Sequence, residues 1–227
     1  MAFTLDEVVP WGRSFLEYTA MFALSEMDLG KRILGCADGP ASFNSILTKR
    51  GGKVVSVDPL YAFQASDIRK RIDETYHEVL DQTQRNQDDF RWGPIRSVEE
   101  LGRVRMEAME HFLRDYPSGR REGRYLPGNL PRLPFRDGEF DIAVCSHFLF
   151  LYSEQLSEEF HLQSLRELCR VAPEARVFPL LDLGAKKSRH VDTVVSCLNS
   201  EGFHVAIEHV PYEFQRGGNQ MVRIRAI

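Results

Sequence analysis

The sequence lacks the usual marks of secreted, membrane-spanning and metal-binding proteins. It has four cysteines among 227 residues, namely Cys36, Cys145, Cys169 and Cys197. No two of them form a C-x-x-C pair, and no cysteine–histidine cluster has metal-ligand spacing, so we expect neither disulfides nor a metal. The first ten residues carry Asp6 and Glu7 without a long apolar run, which predicts no signal peptide and no membrane span. These absences favour a reducing, cytoplasmic setting.

The chain also lacks a basic excess. It has 29 lysines and arginines against 33 acidic residues, and its formal net charge is -4. Proteins that bind a nucleic-acid backbone are usually basic. The densest basic cluster comprises Arg114, Arg120, Arg121 and Arg124, but Asp115 and Glu122 lie among these arginines. We interpret it as a solvated surface of mixed charge and expect no nucleic-acid partner.

Several catalytic motifs are missing as well. There is no Walker A sequence, no GxSxG and no complete G-x-G-x-x-G. No Asn-Pro-Pro-Tyr-like motif follows a strand, which argues against enzymes that methylate amino groups of nucleic acids with that motif.

Apolar runs alternate with amphipathic stretches along the whole chain. Strands are predicted at Arg32–Gly35, Lys53–Val57, Phe140–Ser146, Ala175–Leu181, Phe203–Val210 and Met221–Ile227, with helices at about 40–50 and 189–201 and another around Leu162–Cys169. Pro179 fits badly in a central strand, because proline cannot donate to the ladder. The pattern predicts a doubly wound α/β fold with a mostly parallel sheet and a final antiparallel hairpin across the turn at 216–219. The hydrophobic fraction of 43% is enough for one core, and we expect a single domain over 1–227.

A charge-rich helical insertion is expected at about 64–124. The turn Trp92-Gly93-Pro94 divides it, and apolar residues recur at helical spacing in its second half, from Leu101 to Phe112. The second helix is interpreted as packed on the sheet. The first is left open between packing, a substrate lid and a dimer surface.

A nucleoside site is predicted where the first two strands end. Small residues fill the turn Gly35-Cys36-Ala37-Asp38-Gly39 between a strand and a helix, where free backbone N–H groups favour a close ligand. Asp58 ends the second strand, nineteen residues after Gly39. An acidic residue there can accept from both ribose hydroxyls of a bound nucleoside.

At residues 128–141, GNLPRLPFRDGEFD, the sequence resembles the class I S-adenosylmethionine-dependent methyltransferases. The family pattern before the fourth strand is matched in order by Leu133, Pro134, Phe135, Asp137, Phe140 and Asp141. The resemblance covers about Arg13 to Ile227. It implies a seven-stranded, Rossmann-like methyltransferase fold, S-adenosylmethionine as cofactor, and methyl transfer to an acceptor that we expect to be a small molecule.

The same resemblance assigns cofactor-binding residues. Gly35, Ala37 and Gly39 would face the methionine part, and Asp58 would hold the ribose. Leu60, Asn129 and Leu130 would contact the adenine, and Ser146 would lie close to the reactive methyl group. Cys36 and Pro59 belong to the same cofactor-binding set. In the N-terminal amphipathic segment, Arg13 and Tyr18 would fold over the cofactor, and Arg13 could pair with its carboxylate. Two positions depart from the family: Ile33 replaces a common acidic residue, and Ala37 replaces a glycine.

Residues near the end of the fourth strand are candidates for catalysis. His147 is the candidate general base, because imidazole titrates near neutral pH, although a packing role is equally compatible with its neighbours. Tyr152, Tyr212 and Arg216 are the tentative substrate residues, the last one for an anionic group. Three alternatives stay open: a non-catalytic module that binds the cofactor or a partner, an NAD-dependent oxidoreductase, and a methyltransferase acting on RNA or protein.

Overall fold

The protein is described from a computed structural model that covers residues 9–226. Its seven strands form a single sheet in the order β3-β2-β1-β4-β5-β7-β6. The strands are β1 Arg32–Cys36, β2 Lys53–Val57, β3 Tyr125–Leu126, β4 Ile142–Ser146, β5 Glu174–Phe178, β6 Phe203–His209 and β7 Gln220–Ala226. All neighbouring pairs are parallel except β5–β7 and β7–β6. This is the mostly parallel, Rossmann-like methyltransferase fold with an antiparallel C-terminal hairpin that the resemblance implies.

Helices cover both faces of the sheet. They are α1 Phe15–Met21, α2 Glu26–Leu29, α3 Phe43–Lys49, α4 Ala65–Arg85, α5 Val98–Arg121, α6 Glu158–Val171 and α7 Val191–Ser200. Side chains alternate between faces along a strand, so adjacent residues of β1 enter different cores. Ile33 packs with Phe15 of α1 and Phe43 of α3, whereas Leu34 shares a core with Leu165 of α6 and Val194 of α7.

Along the chain, the long helices α4 and α5 lie between β2 and β3. Ile68 and Ile72 of α4 form a third apolar cluster with Met109 and Phe112 of α5. The break between the two helices falls at 86–97, around the Trp92-Gly93-Pro94 turn that was predicted to divide them. The predicted packing of the second helix is confirmed, since Leu101, Met109 and Phe112 are buried.

Two strand predictions need correction. The strand predicted at Ala175–Leu181 ends at Phe178, immediately before Pro179, because proline has no N–H for the ladder. The strand predicted from Phe140 begins at Ile142. No residues were assigned to the third of the seven strands that the resemblance implies; it is β3, whose two residues pair with Ser56 and Val57.

All four cysteines are free. Within residues 9–226, no helix has the length and apolar character needed to cross a bilayer. In the same range, no three histidine, cysteine or acidic side chains are grouped as a metal site would require.

Candidate active site

A cavity of about 640 Å³ lies over the carboxyl ends of the parallel strands. Its lining includes the last residues of β1, β2, β4 and β5, which are Cys36, Val57, Ser146 and Phe178. The insertion and the tip of the β6–β7 hairpin close its far side. Ligands of doubly wound sheets bind at this edge, next to the point where the order of the strands reverses. Here that point lies between β1 and β4.

The backbone of the turn after β1 packs closely against the side chain of Asp38. A Cβ on Gly35 would lie 1.8 Å from Oδ2 of Asp38, so glycine is required there to admit the Asp38 carboxylate. Gly39 and Ala37 have positive φ angles of 53° and 55°. For alanine this left-handed conformation costs about 1–2 kcal/mol, a cost that glycine at the Ala37 position would avoid.

Asp38 is a site residue that the sequence reasoning missed. Its Oδ1 accepts from the Tyr18 hydroxyl at 3.0 Å and its Oδ2 from the Ser56 hydroxyl at 2.6 Å. Burial raises the pKa of Asp38 to about 7, against the opposing effect of these two hydrogen bonds. Asp38 is among the residues that line the cavity. This turn therefore carries a buried acidic residue, although position 33 is an isoleucine. Its place inside the glycine turn was the feature of the sequence that could have indicated this role for Asp38.

Asp58 joins the turns after β1 and β2. Its Oδ2 accepts from the Gly39 backbone N–H at 2.8 Å, and its Oδ1 accepts from the Leu60 N–H at 2.8 Å. A carboxylate has about four acceptor sites, so each oxygen keeps one for a further donor. Burial raises the pKa of Asp58 despite these two backbone contacts. The half-buried side chain lines the cavity and can accept from a pair of hydroxyls.

His147 follows β4 directly. Its Nδ1 lies 2.8 Å from the Ser146 Oγ, and its backbone N–H donates to the Phe178 carbonyl at 2.7 Å. Its φ of 51° turns the side chain out of the strand direction toward the cavity, which it lines. Burial, together with the charges of Arg13 and Arg105, lowers the pKa of His147 well below its ordinary value. The imidazole is therefore neutral at physiological pH.

Two arginines face His147 from the N-terminal segment and from α5. Arg13 donates from Nη1 to the Trp11 carbonyl at 2.6 Å, and Arg105 donates from Nη1 to Glu17 Oε2 at 2.5 Å. The Nε atoms of both arginines are buried without a hydrogen-bond partner in the described structure. Glu17 also accepts from the Tyr212 hydroxyl at 2.9 Å. A carboxylate or another anion is the ligand that would satisfy such donors.

Most of the residues assigned from sequence share this cavity. Those that line it are Arg13, Tyr18, Cys36, Ala37, Gly39, Asp58, Pro59, Leu60, Asn129, Leu130, Ser146, His147, Tyr152 and Tyr212. Gly35 lies behind the lining, where it makes room for Asp38. Arg216 does not reach the cavity either: it is exposed, and its Nε donates to the Asp88 carbonyl at 2.6 Å. Its contact fastens the hairpin to the insertion, so the structure does not support its tentative role in holding a substrate anion.

Arg105 was missed together with Asp38. It lies on the buried stripe of α5 with Leu101, Ala108, Met109 and Phe112. A cation on an otherwise apolar helix face is the signal that the sequence offered.

The chain is 32% identical over 223 residues to a Methanocaldococcus jannaschii protein described as uncharacterized protein MJ0045, and the match covers 97% of each chain. The chain belongs to the same family as this archaeal protein. No family model matches the sequence.

Solved structures of methyltransferases are similar to the chain at low sequence identity. Magnesium protoporphyrin IX methyltransferase of Synechocystis PCC 6803, solved with bound S-adenosylmethionine, is 13% identical with a TM-score of 0.45, over 89% of this chain and 73% of that one. A putative S-adenosylmethionine-dependent methyltransferase of Methanococcus maripaludis is 9% identical with a TM-score of 0.46, over 93% and 83%.

Proposed function

We propose that the chain is an S-adenosylmethionine-dependent methyltransferase with a small-molecule acceptor. The observation that carries the proposal is the meeting of three segments at one cavity. These are the glycine turn after β1, Asp58 after β2, and Asn129 with Leu130 after β3. The Gly39–Asp58 hydrogen bond couples the first two. The sheet that holds them has the order and the C-terminal hairpin of the methyltransferase fold.

The side chains present fit the cofactor at four points. The unpartnered Nε of Arg13 suits the cofactor carboxylate. The free acceptor sites of Asp58 suit the two ribose hydroxyls. The carboxylate of Asp38, which lines the cavity near the Gly39 turn, suits a cationic amino group. Leu60 and the buried Leu130 offer apolar surface for the adenine.

The bound cofactor would supply a methyl group already activated by a positively charged sulfur. The protein then has to align the acceptor and, where the acceptor carries a proton, to remove it. His147 suits the second task by its place at the end of β4, where burial and the nearby arginines leave the imidazole unprotonated while making it a weaker base. Its contact with Ser146 holds the ring in place. The cavity walls, including Phe178 and Leu101, exclude water from the reacting atoms.

Two rival functions are less well supported. A nicotinamide-dependent oxidoreductase shares the glycine turn and Asp58, but it does not explain the stretch at 128–141 or the hairpin over the cavity. An RNA methyltransferase needs a basic surface. Arg124, in the densest basic cluster, is paired with Asp115 and Glu122 instead.

The test is formation of S-adenosylhomocysteine from S-adenosylmethionine in the presence of fractionated acceptors. Small-molecule, RNA and protein fractions of a cell extract are assayed separately, with the His147→Asn variant as control. We expect turnover with the small-molecule fraction that falls sharply in the variant. Turnover with RNA or protein alone would contradict the acceptor class. Lack of turnover in every fraction, despite cofactor binding, would favour the non-catalytic module.

A further inference from the structure

Arg105 is an unusual residue for the middle of an amphipathic helix. Its residue surface is fully buried, and its neighbours on the same stripe of α5 are Leu101 and Met109. Burying a guanidinium is costly unless charges and hydrogen bonds compensate it. The buried guanidinium of Arg105 therefore needs a negative charge nearby and acceptors for its N–H groups.

The described residues supply only part of this compensation. Glu17 accepts from Nη1 of Arg105, but the same carboxylate also accepts from Tyr212 and from the Ser14 backbone. The Nε of Arg105 has no partner. Arg13 adds a second guanidinium close by, and Glu17 is the acidic side chain that acts on both. The single carboxylate of Glu17 therefore offsets the positive charge of both Arg13 and Arg105.

The proposed cofactor does not supply the missing acceptor. Its carboxylate can pair with Arg13, and its amino group with Asp38. The Nε of Arg105 still lacks an acceptor. A carboxylate on the second ligand would accept from that donor.

Most of the cavity wall is apolar surface. Leu101, Leu151, Phe178 and Phe214 contribute to it and line the cavity together with Arg105 and His147. A ligand that packs on these side chains needs an apolar or aromatic body, since a polar one would lose its hydrogen bonds with water there.

We propose that the methyl acceptor is an apolar carboxylic acid in its anionic form, and that Nε of Arg105 donates to its carboxylate. The inference rests on the proposed function. Glu17 is a positioning residue in this arrangement, because it holds Nη1 and so fixes the guanidinium plane. The reacting atom of the acceptor would lie toward His147, at the end of β4.

The experiment is calorimetry on protein saturated with S-adenosylhomocysteine. The probes are benzoate and 1-naphthoate, with benzamide and 1-naphthamide as uncharged analogues. We expect each carboxylate to bind at least about 10-fold tighter than its amide. The double variant Arg105→Met/Glu17→Gln should abolish that preference, because it removes the Arg105 donors together with the carboxylate that accepts from them. Arg103→Met, an exposed arginine on the same helix, is the matched control and should keep it.

Equal affinity for acids and amides, or no binding of either acid, would overturn the inference. So would a preference that survives in the double variant. A further arm compares S-adenosylhomocysteine with 5′-methylthioadenosine, which lacks the amino-acid part. If the double variant weakens only the former, Arg105 serves the cofactor carboxylate and the inference is wrong. Failure of the proposed function is distinguishable, because folded wild-type protein would then not bind S-adenosylhomocysteine at all.

Discussion

At the scale of single residues, Asp58 has two tasks that use different parts of one carboxylate. It fixes the turns after β1 and β2 through the Gly39 and Leu60 N–H groups, and it keeps acceptor sites directed to the cavity. A substitution there removes both, so cofactor affinity and stability have to be measured separately.

We predict that Asp58→Ala lowers the affinity for S-adenosylhomocysteine by about 1–3 kcal/mol, because the ribose hydroxyls lose a charged acceptor. Calorimetric titration measures the change. Asp141→Ala is the control: Asp141 accepts from the Arg32 backbone N–H at 2.8 Å, at the opposite end of β1. That variant should lose stability and retain affinity. An unchanged affinity in Asp58→Ala would remove Asp58 from the site.

Asp38 makes the stability of the unliganded protein depend on pH. Its pKa is about 7 in the folded protein, where burial raises it from an ordinary value of 3.8. The folded state thus holds a proton that the unfolded state has lost, and the contribution of Asp38 to stability decreases as the pH rises from about 4 to about 7.

Asp38→Asn imitates the protonated acid and should remove this dependence. We expect the unfolding free energy of the wild type, minus that of the variant, to fall between pH 4 and pH 7 and to level off above it. Urea denaturation at several pH values measures the difference. A difference that is constant over this range would show that Asp38 is ionised throughout.

His147 combines a positive φ with a neutral imidazole at the cavity. Asparagine tolerates the left-handed conformation better than most residues but cannot act as a base. We predict that His147→Asn lowers turnover about 10²-fold with the acceptor that the fractionation yields, and leaves S-adenosylhomocysteine affinity nearly unchanged. Equal loss of affinity and turnover would indicate a packing role instead.

At the scale of elements, the insertion and the hairpin are fastened to each other over the cavity. The Arg91 N–H donates to the Phe214 carbonyl at 2.7 Å, and the Arg216 N–H donates to the Asp89 carbonyl at 2.8 Å. The rings of Phe90 and Phe214 stack with centroids 4.9 Å apart. Through these contacts, residues 86–92 and 212–218 form one continuous cover over the cavity.

Phe214→Ala should loosen that cover without unfolding the sheet. We predict faster amide exchange at residues 87–92 and 212–218, with exchange in β1 and β4 unchanged, because the lost ring contact is local. Hydrogen–deuterium exchange with mass spectrometry measures it. Trp92→Phe, which keeps an aromatic ring beside Phe214, is the milder control. Faster exchange throughout the sheet would contradict a local cover.

The elements that periodicity could predict are those with a long apolar pattern. β2 and the break between α4 and α5 fall where expected. β3 could not be predicted, since a two-residue strand carries no period and depends on the edge that β2 offers. The end of β5 was overextended, although Pro179 marked it. Arg105 was missed because α5 was predicted from its apolar residues alone. A charged residue on the same face does not contribute to that pattern.

At the scale of the whole molecule, the order of segments in the chain explains why so many of the residues assigned from sequence line one cavity. The turns after β1, β2 and β3 must meet at one edge of a parallel sheet, whatever the details of packing. The contacts of Asp38 with Tyr18 and of Arg105 with Glu17 depend on how α1 and α5 pack. Such contacts between distant segments leave no local pattern. Arg216 belongs to the same group, because its backbone partners lie in the insertion.

The most direct test of the proposed cofactor is calorimetric titration of the folded protein with S-adenosylhomocysteine and S-adenosylmethionine, with NADH as the comparison. We predict micromolar binding of both sulfur compounds, equivalent to about -8 kcal/mol, and no measurable binding of NADH. Tight binding of NADH, or binding of none of the three by protein shown to be folded, would contradict it.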